Sequence, residues 1–471
     1  MRKTKIISTI GPAVNTKAKL IKLIKSGINC ARFNFSHGTH ESQKVMMDLL
    51  KEARVSLSKE IPILLDTKGP ELRLRNFIDG STVLKDGQLF ILDDDEDTIG
   101  DNGRACISYH ELAESLKVGN TILIDDGKVS LRVLKLEGHR IITKVTHGGK
   151  ISNHKSLNVP NVAIPMEFLS EADKSDLLFG IEQGVDFVAA SFTRTKQDIL
   201  DMRNFLDEHG GKHIEIIAKI ENIQGVHNFL DILSIADGIM VARGDLGVEI
   251  HFKDIPSIQK RIIDECNKLG KISIVATQML ESMTSSPRPT RAEVSDVANA
   301  VFDGASAIML SGESANGLYP FDAVKTMSAI ASSAERSSYH HKERSSLKDT
   351  KDITQATCKA AYEAAECLKA KCIVVCSSSG RTAKMIAKYR PDIPIIALVA
   401  SESGCRQCSL YYDVYPLKVE RKQSPDEVVE LGKAKAEELT MTVPGDVVVL
   451  VAGTNFSYGH TDSIQIYQIQ R

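Results

Sequence analysis

Short runs of β-branched and aliphatic residues recur along the first two thirds of the chain, separated by longer segments whose apolar positions return with helical period. Eight such runs precede residue 315: TKIISTIG from Thr4, INCARFNF from Ile28, IPILLDT from Ile61, DFVAASF from Asp186, IEIIAKIE from Ile214, DGIMVARGD from Asp237, ISIVATQ from Ile272 and SAIMLSGE from Ser306. Eight strands alternating with helices predict an α/β chain built on a closed (β/α)8 TIM barrel of parallel strands.

One interval breaks the rhythm. About a hundred residues separate the third run from the fourth, where a βα unit needs only about thirty. Within it, short strands lie between turns rich in Gly, Asp and Asn (KDGQ, IGDNGR, DDGKV, THGGK), the pattern of a small all-β domain. It leaves the C-terminal end of strand three, where barrel active sites lie, so its expected role is a lid. After the helical stretch YPFDAVKTMSAIASSAERSS, the serine- and charge-rich HHKERSSLKDTKD reads as a linker. Beyond it a helix over 353–369 and the runs KCIVVCS, IPIIALV, VYPLKV, DVVVLVAG and SIQIYQIQ restart an α/β alternation. The expected division is therefore a barrel over 1–70 and 165–342, a lid over 71–164 and a C-terminal α/β domain over 343–471.

Length agrees with this, since 471 residues exceed what one ordinary core accommodates. Charge excludes more than it suggests. With 59 basic and 61 acidic residues dispersed along the chain and a formal net charge of -2, there is no electrostatic footprint for nucleic acid or an anionic membrane. The start, MRKTKIISTIGPAVN, carries an apolar run too short for a signal peptide, and no stretch approaches a spanning helix, so a soluble cytoplasmic protein is expected. Nine cysteines fit reduced thiols, and the Cys405–Cys408 spacing is better read as buried thiols than as a zinc site.

The candidate chemistry sits at the strand ends. Strand two ends with Arg32, Asn34 and Ser36 on one face, an arginine suited to phosphate or carboxylate beside oxygens suited to a hard cation. Strand three runs into LLDTKGPELRLR, where Asp66 and Thr67 offer oxygens and Arg73 sits on the first step into the lid. Strand five ends with Lys219 and Glu221, and a lysine inside an otherwise apolar strand is costly to bury without a function. Strand six ends ARGDLGVEI, with Gly244 allowing close backbone approach and Asp245 pairing with Glu221 as a two-carboxylate magnesium site. Strand seven adds Thr277, and strand eight adds Ser311 and Glu313. A divalent cation, a lysine and arginines around a phosphorylated or enolic substrate point to phosphoryl transfer or enolate chemistry.

Taken in order, STIGPA, ARFNFSHGTHE, LLDTKGPELR, AKIENIQGV, MVARGDLGVEI, ATQMLESM, PRPTRAEVSDVANAVFDGASAIMLSGESANGLYP and SSSGRTA resemble the pyruvate kinase family along nearly the whole chain. The resemblance implies transfer of the phosphoryl group of phosphoenolpyruvate to ADP, giving ATP and pyruvate through an enolpyruvate. Glu221 and Asp245 then resemble the ligands of Mg2+ (or Mn2+), and Lys219 the cation facing the transferring group. Arg32 resembles the phosphate binder, while Gly244, Asp245 and Thr277 position the substrate carboxylate. Asn34, Ser36, Asp66 and Thr67 resemble K+ ligands. Thr277, with Ser311 behind it, stands in the proton relay to the enolate carbon, where an ordered water chain is the expected immediate donor because a threonine hydroxyl titrates far from neutrality.

Pro12, Asn34, His37 and Arg73 match nucleotide-binding positions. The chain departs from the family at Thr195, followed by Lys196, where a lysine is usual, at Ser42 where a tyrosine is often found, and at Asn316 where some members carry lysine. Glu71 matches members that need potassium; potassium-independent members carry lysine there. In the C-terminal domain Ser377, Ser378, Ser379, Arg381 and Thr382 form a loop of hydroxyls and N–H groups suited to a phosphate, which the resemblance places at a sugar-phosphate effector site. A second loop, GTNFSYGHTDS from Gly453, offers only His460 as a base. The resemblance also implies a homotetramer. Two other readings compete: a magnesium-dependent carbon–carbon lyase acting on a 2-oxo acid, and a non-catalytic metabolite-binding protein.

Overall fold

The computed structural model describes residues 2–95, 98–337, 352–420, 425–440, 442–453 and 461–470. Most of the linker HHKERSSLKDTKD and the greater part of the second effector loop, His460 included, lie outside the described residues.

The eight runs form the eight strands of one closed barrel. They are Lys5–Thr9, Cys30–Asn34, Ile63–Asp66, Phe187–Ala190, Glu215–Ile220, Gly238–Ala242, Ile272–Ala276 and Ala307–Leu310, called here strands one to eight. All pair in parallel, with Asn34 beside Asp66, Ala189 beside Asp66 and Lys219 beside Met240 in the register. The period of two along each strand divides the core. Ile6, Ile63, Leu65 and Val188 face outward against the helices. Ile7, Leu64, Phe187, Ile217 and Met240 fill the barrel interior. Each fully buried aliphatic side chain of this kind contributes roughly 1.5–3 kcal/mol. Helix starts follow local chemistry: Thr39, Thr195 and Thr290 each accept from the backbone N–H three residues on, in reciprocal capping boxes with Ser42, Asp198 and Glu293.

Between strands three and four the chain leaves the barrel and forms a seven-stranded sheet and a two-stranded sheet around their own apolar core, which includes Phe90, Ile122, Leu131 and Ile141. The C-terminal domain holds a five-stranded sheet, parallel except for its last strand, Ser463–Gln468. Its core is continuous with the barrel interior, because it packs against the N-terminal ends of the barrel strands. Arg406 reaches Asp186 (2.7 Å), which directly precedes strand four, and Lys384 and Tyr411 reach Glu215 (2.8 and 2.7 Å), the first residue of strand five. Lys5, in strand one, donates to the Val414 carbonyl (2.7 Å). The barrel therefore has a floor closed by one domain, and its other end is left for the lid.

Candidate active site

The C-terminal ends of strands two, three and five bring four charged side chains into one buried group. Asp66 accepts from Arg32 Nε (2.5 Å) and Ser191 Oγ (3.1 Å) and lies 3.0 Å from Lys219 Nζ. Lys219 in turn lies 2.9 Å from Glu221 Oε1 and donates to Ser191 Oγ (2.8 Å). Burial alone would strip the lysine of its proton, but Asp66 and Glu221 outweigh it and hold the ammonium well above its ordinary range. Asp66 is pushed up by burial and pulled further down by Arg32 and Lys219, so it stays a carboxylate. Lys219 is accordingly a fixed positive charge at neutral pH, suited to stabilising anionic oxygens and unsuited to moving protons.

Glu221 shows the opposite imbalance. Burial, reinforced by repulsion from Asp245, raises its carboxyl to about 7 in spite of Lys219 and the Phe192 N–H. Its Oε2 accepts that N–H at 2.6 Å, whereas its Oε1 is buried without an aligned hydrogen bond. A buried carboxylate whose Oε1 meets the Lys219 ammonium without an aligned hydrogen bond, and which a second carboxylate repels, is what a divalent cation would relieve, so the donor set fits one. Among the described residues no three His, Cys, Asp or Glu side chains form a metal cage, so such a cation would take the rest of its shell from substrate and water. At the ends of strands two and three, Asn34 Oδ1 accepts from the Ser36 N–H (3.1 Å), and Thr67 Oγ1 accepts from the Ser191 N–H (3.1 Å). Neutral oxygens beside the Asp66 carboxylate suit a hard monovalent cation.

Strands six to eight add a constrained wall. Thr277 has φ +67, a costly conformation for a β-branched residue, and Gln278 follows at +54. The surroundings enforce it: Thr277 Oγ1 accepts from the Gly244 N–H (2.8 Å) and donates to the Ala276 carbonyl (2.6 Å), and Arg243 donates to the Thr277 carbonyl (2.8 Å) while pairing with Asp296 (2.7 Å). Glu313 bonds the backbone N–H groups of Leu280 (3.0 Å) and Ser311 (2.8 Å), which makes it a brace between two loops. Ser311 Oγ is buried with no partner.

The nucleotide candidates are more dispersed. Pro12 and His37 are exposed. Arg73 is turned back within the lid, bonded to Glu71 Oε2 (3.0 and 2.6 Å) and to the His154 carbonyl (2.7 Å). Two of the departures have a local explanation, because Thr195 and Ser42 both belong to capping boxes, and Lys196 stands exposed on the first helical position beyond. Asn316 closes the four-residue helix Gly312–Ala315. In the C-terminal domain Ser377 Oγ accepts from the Gly380 N–H (3.0 Å), and Gly380 has φ +85 with Cys408 Sγ against the space a Cβ would fill. Ser378, Ser379 and Arg381 are exposed, while Thr382 is buried with its hydroxyl against that of Thr461 (2.6 Å).

Three contributors went unnamed in the sequence reading. Ser191 links Lys219, Asp66 and the Thr67 carbonyl, Phe192 presents its N–H to Glu221 from a backbone at φ +54, and Thr9 supports Arg32 (2.9 Å). Two of them close strand four and the third, Thr9, closes strand one, and the polar residues ending DFVAAS and KIIST are their signals.

Comparison with known proteins places these residues in a family. Residues 1–324 match the family model described as pyruvate kinase, barrel domain, and residues 355–467 match pyruvate kinase, alpha/beta domain. The pyruvate kinase of Clostridium perfringens is 45% identical over 474 residues, covering 100% of both chains. That of Bacillus licheniformis is 45% identical over 473 residues, covering 100% of this chain and 81% of its own. The crystal structure of a pyruvate kinase from Cryptosporidium parvum superposes with a TM-score of 0.93 at 38% identity, over 99% of this chain and 96% of that one.

Proposed function

The chain belongs to the pyruvate kinase family, a phosphotransferase family that moves the phosphoryl group of phosphoenolpyruvate to ADP in the last step of glycolysis, and from that premise we propose how its own residues divide the work. Arg32, locked by Asp66 and Thr9, binds the phosphate of phosphoenolpyruvate. Lys219 faces the transferring group. Its charge offsets the negative charge spread over the equatorial oxygens and then that on the enolate oxygen, and because Asp66, Glu221 and Ser191 already hold it, no reorganisation is needed at the moment of reaction. The Gly244–Asp245 backbone and Thr277 orient the substrate carboxylate. Glu221 and Asp245 would hold Mg2+ or Mn2+, and Asn34, Ser36, Asp66 and Thr67 would hold K+, which would supply positive charge at the phosphoryl oxygens.

Thr277 is an orienting group rather than an acid, because its hydroxyl already donates to the Ala276 carbonyl. Protonation of the enolate carbon then falls to ordered water beside Thr277 and Ser311. Pro12, Asn34, His37 and, once turned from Glu71, Arg73 hold ADP. The barrel, lid and effector divisions over 1–70 with 165–342, 71–164 and 343–471 follow the same reading, as do a homotetramer, a sugar phosphate at Ser377–Thr382 and a cytoplasmic location. No helix among the described residues is long and apolar enough to cross a membrane.

The observation that carries the reading is Lys219 caged against Asp66 and Glu221, the latter repelled by Asp245. Supplying phosphoenolpyruvate and ADP together should yield ATP and pyruvate in equal amounts, with a divalent cation required. Pyruvate and inorganic phosphate formed without ATP would reject transfer to ADP in favour of hydrolysis, and an inert phosphoenolpyruvate beside a cleaved 2-oxo acid would return the reading to lyase chemistry.

A further inference from the structure

The turn between strand two and the helix His40–Leu57 carries Ser36, assigned with Asn34 to the monovalent cation, and His37, assigned to the nucleotide. It meets strand three through the Phe35 N–H, which donates to the Asp66 carbonyl (3.0 Å). One side chain closes it from the other side. Gln43, in the first turn of the helix, donates its amide Nε2 to the Asn34 carbonyl (3.0 Å) and to the His37 carbonyl (2.9 Å). A primary amide has two N–H donors, so Gln43 spends its whole donor capacity on this turn. Asn34 Oδ1 accepts from the Ser36 N–H (3.1 Å) and completes the arrangement.

Two further observations make this a built contact. Gly38 stands at φ +82, and a Cβ there would lie 2.8 Å from Ser42 Oγ and 3.5 Å from Gln43 Nε2, so glycine is what lets the turn fold down onto the helix start. The helix in turn is fixed to the barrel. Met47, Leu50 and Ala53 are buried, His40 Nε2 lies 2.6 Å from Asp176 Oδ1, and the His40 ring stacks on Phe179 with centroids 4.5 Å apart. Gln43 therefore reaches from a rigid element to both ends of a four-residue segment. Holding the carbonyls of Asn34 and His37 fixes the path of Phe35 and Ser36 between them, and with it the place of the Ser36 hydroxyl and the His37 ring relative to Asp66.

We propose that Gln43 is a positioning residue for the reaction, its amide holding the segment Asn34–His37 so that the oxygens of Asn34 and Ser36 meet the monovalent cation and His37 meets the nucleotide. This rests on the reading of those three residues given above. Acting through the turn, Gln43 governs the cation and ADP and leaves phosphoenolpyruvate, held by Arg32, Lys219 and Thr277, largely unaffected. A merely structural role would lower stability without choosing between the two substrates.

The test uses the full chain carrying Gln43→Met or Gln43→Glu, with Thr39→Ala as control. Methionine keeps the length and helix propensity of glutamine without its donors, and glutamate keeps its shape while turning an acceptor toward each carbonyl. Thr39→Ala removes the N-cap of the same helix and leaves the Gln43 amide in place. In Gln43→Met the K+ concentration for half-maximal activation should rise about fivefold and KM for ADP about threefold, with larger shifts in Gln43→Glu. KM for phosphoenolpyruvate, and kcat at saturating K+ and ADP, should stay within about twofold of wild type. A second readout does not depend on turnover: the gain in Tm on exchanging tetramethylammonium for K+ at equal ionic strength should be smaller in both Gln43 variants than in wild type. Thr39→Ala should lower Tm and leave the K+ and ADP constants unchanged. Wild-type K+ and ADP constants in both Gln43 variants would overturn the proposal, as would a rise in KM for phosphoenolpyruvate in step with that for ADP, or the same shifts in Thr39→Ala. A wild-type chain indifferent to K+ in both rate and Tm would instead overturn the cation assignment, leaving KM for ADP to decide the role of Gln43.

Discussion

The two ends of the barrel carry the same residue types in the same secondary-structure setting, yet only one is equipped for chemistry. At the floor, Asp186 and Glu215 are buried at or just before strand starts and paired with Arg406 and Lys384 of the C-terminal domain. At the mouth, Asp66 and Glu221 are buried at strand ends and paired with Arg32 and Lys219 of the barrel itself. The difference lies in what holds the group. Each floor carboxylate is met by a cation and a further donor from a neighbouring element, Ile63 N–H for Asp186 and Tyr411 hydroxyl for Glu215, so its charge serves to register one domain on another. Mouth groups sit among residues at positive φ, Phe192, Thr277 and Gln278, with Glu221 Oε1 and Ser311 Oγ left over. Unsatisfied oxygens and positive φ occur at both ends, since Glu215 Oε2 also lacks a bond and Arg390 and Asp413 also stand at positive φ, so what separates interface from site is that the floor cations come from another domain and the mouth cations from the barrel itself.

The sharpest way to break the comparison is to remove one cation from each end. Lys219→Met should leave the chain folded and still able to bind phosphoenolpyruvate with Mg2+, while kcat falls by about 10³-fold or more, because the lost charge acts mainly in the transition state. Wild-type turnover in a purified, folded variant would reject the role given to Lys219. At the floor, Arg406→Met should do the reverse. It leaves Asp186 without its cation in a fully buried place, at a cost of about 3 kcal/mol in stability, with kcat per folded molecule unchanged. Calorimetry and active-site titration separate the two quantities, and a Tm equal to wild type would mean the pair contributes nothing.

Asp186 also gives the floor a pH signature. Burial raises its carboxyl to about 6 despite Arg406, so the native state binds the proton more tightly than the unfolded chain does. Its contribution is complete below the unfolded value near 4 and is lost as pH rises through 6, by no more than about 3 kcal/mol. Asp186→Asn should flatten stability against pH in that window.

Much of this was legible in the sequence. Eight short apolar runs became eight barrel strands, with further sheets between the third and fourth and after the eighth, because strands buried on both faces leave a strong local signal. Arg32, Asp66, Lys219 and Glu221 were also visible, since charges interrupting such runs are conspicuous. What stayed hidden depends on three-dimensional approach. Ser191 looks like any strand-terminal serine until Lys219 and Asp66 are beside it. Arg194 likewise bonds the Ile164 and Met166 carbonyls, 30 and 28 positions earlier in the chain. The floor pairs were hidden for the same reason, since nothing local links Arg406 to Asp186 across 220 residues.

A smaller effect is expected from the monovalent cation, which sharpens the comparison by asking whether the mouth needs charge beyond its own. The family resemblance implies a potassium requirement at Glu71, which here holds Arg73 through two bonds while burial raises its carboxyl. Activity with Mg2+ should be about tenfold higher in K+ than in tetramethylammonium at equal ionic strength, worth about 1.4 kcal/mol of barrier. Equal rates in the two salts would remove the K+ assignment from Asn34, Ser36, Asp66 and Thr67.

The smallest expected effect runs between the two ends. The loop Ser377–Thr382 opens the helix Arg381–Ala387, whose Lys384 is bonded to Glu215 at the first residue of strand five, and strand five delivers Lys219 at its other end. A phosphate drawn to the exposed Ser378, Ser379 and Arg381 would compete for the Ser377 hydroxyl now bonded to the Gly380 N–H and for the Thr382 hydroxyl now bonded to Thr461. Any shift of that helix is then felt at the floor rather than directly at the mouth, so the coupling should be modest. Phosphorylated sugars should lower the phosphoenolpyruvate concentration for half-maximal rate by about fivefold, near 1 kcal/mol, with kcat little changed. Replacing Ser377 and Thr382 with glutamate should abolish the response by repelling the phosphate. Because Thr382 is buried, Ser379→Glu with Arg381→Gln serves as a second variant that leaves the interior untouched. Mono- and bisphosphorylated sugars are titrated against each, and activation that survives in both variants for every sugar that activates wild type would detach this loop from regulation and leave the Lys384–Glu215 pair as a purely structural clasp.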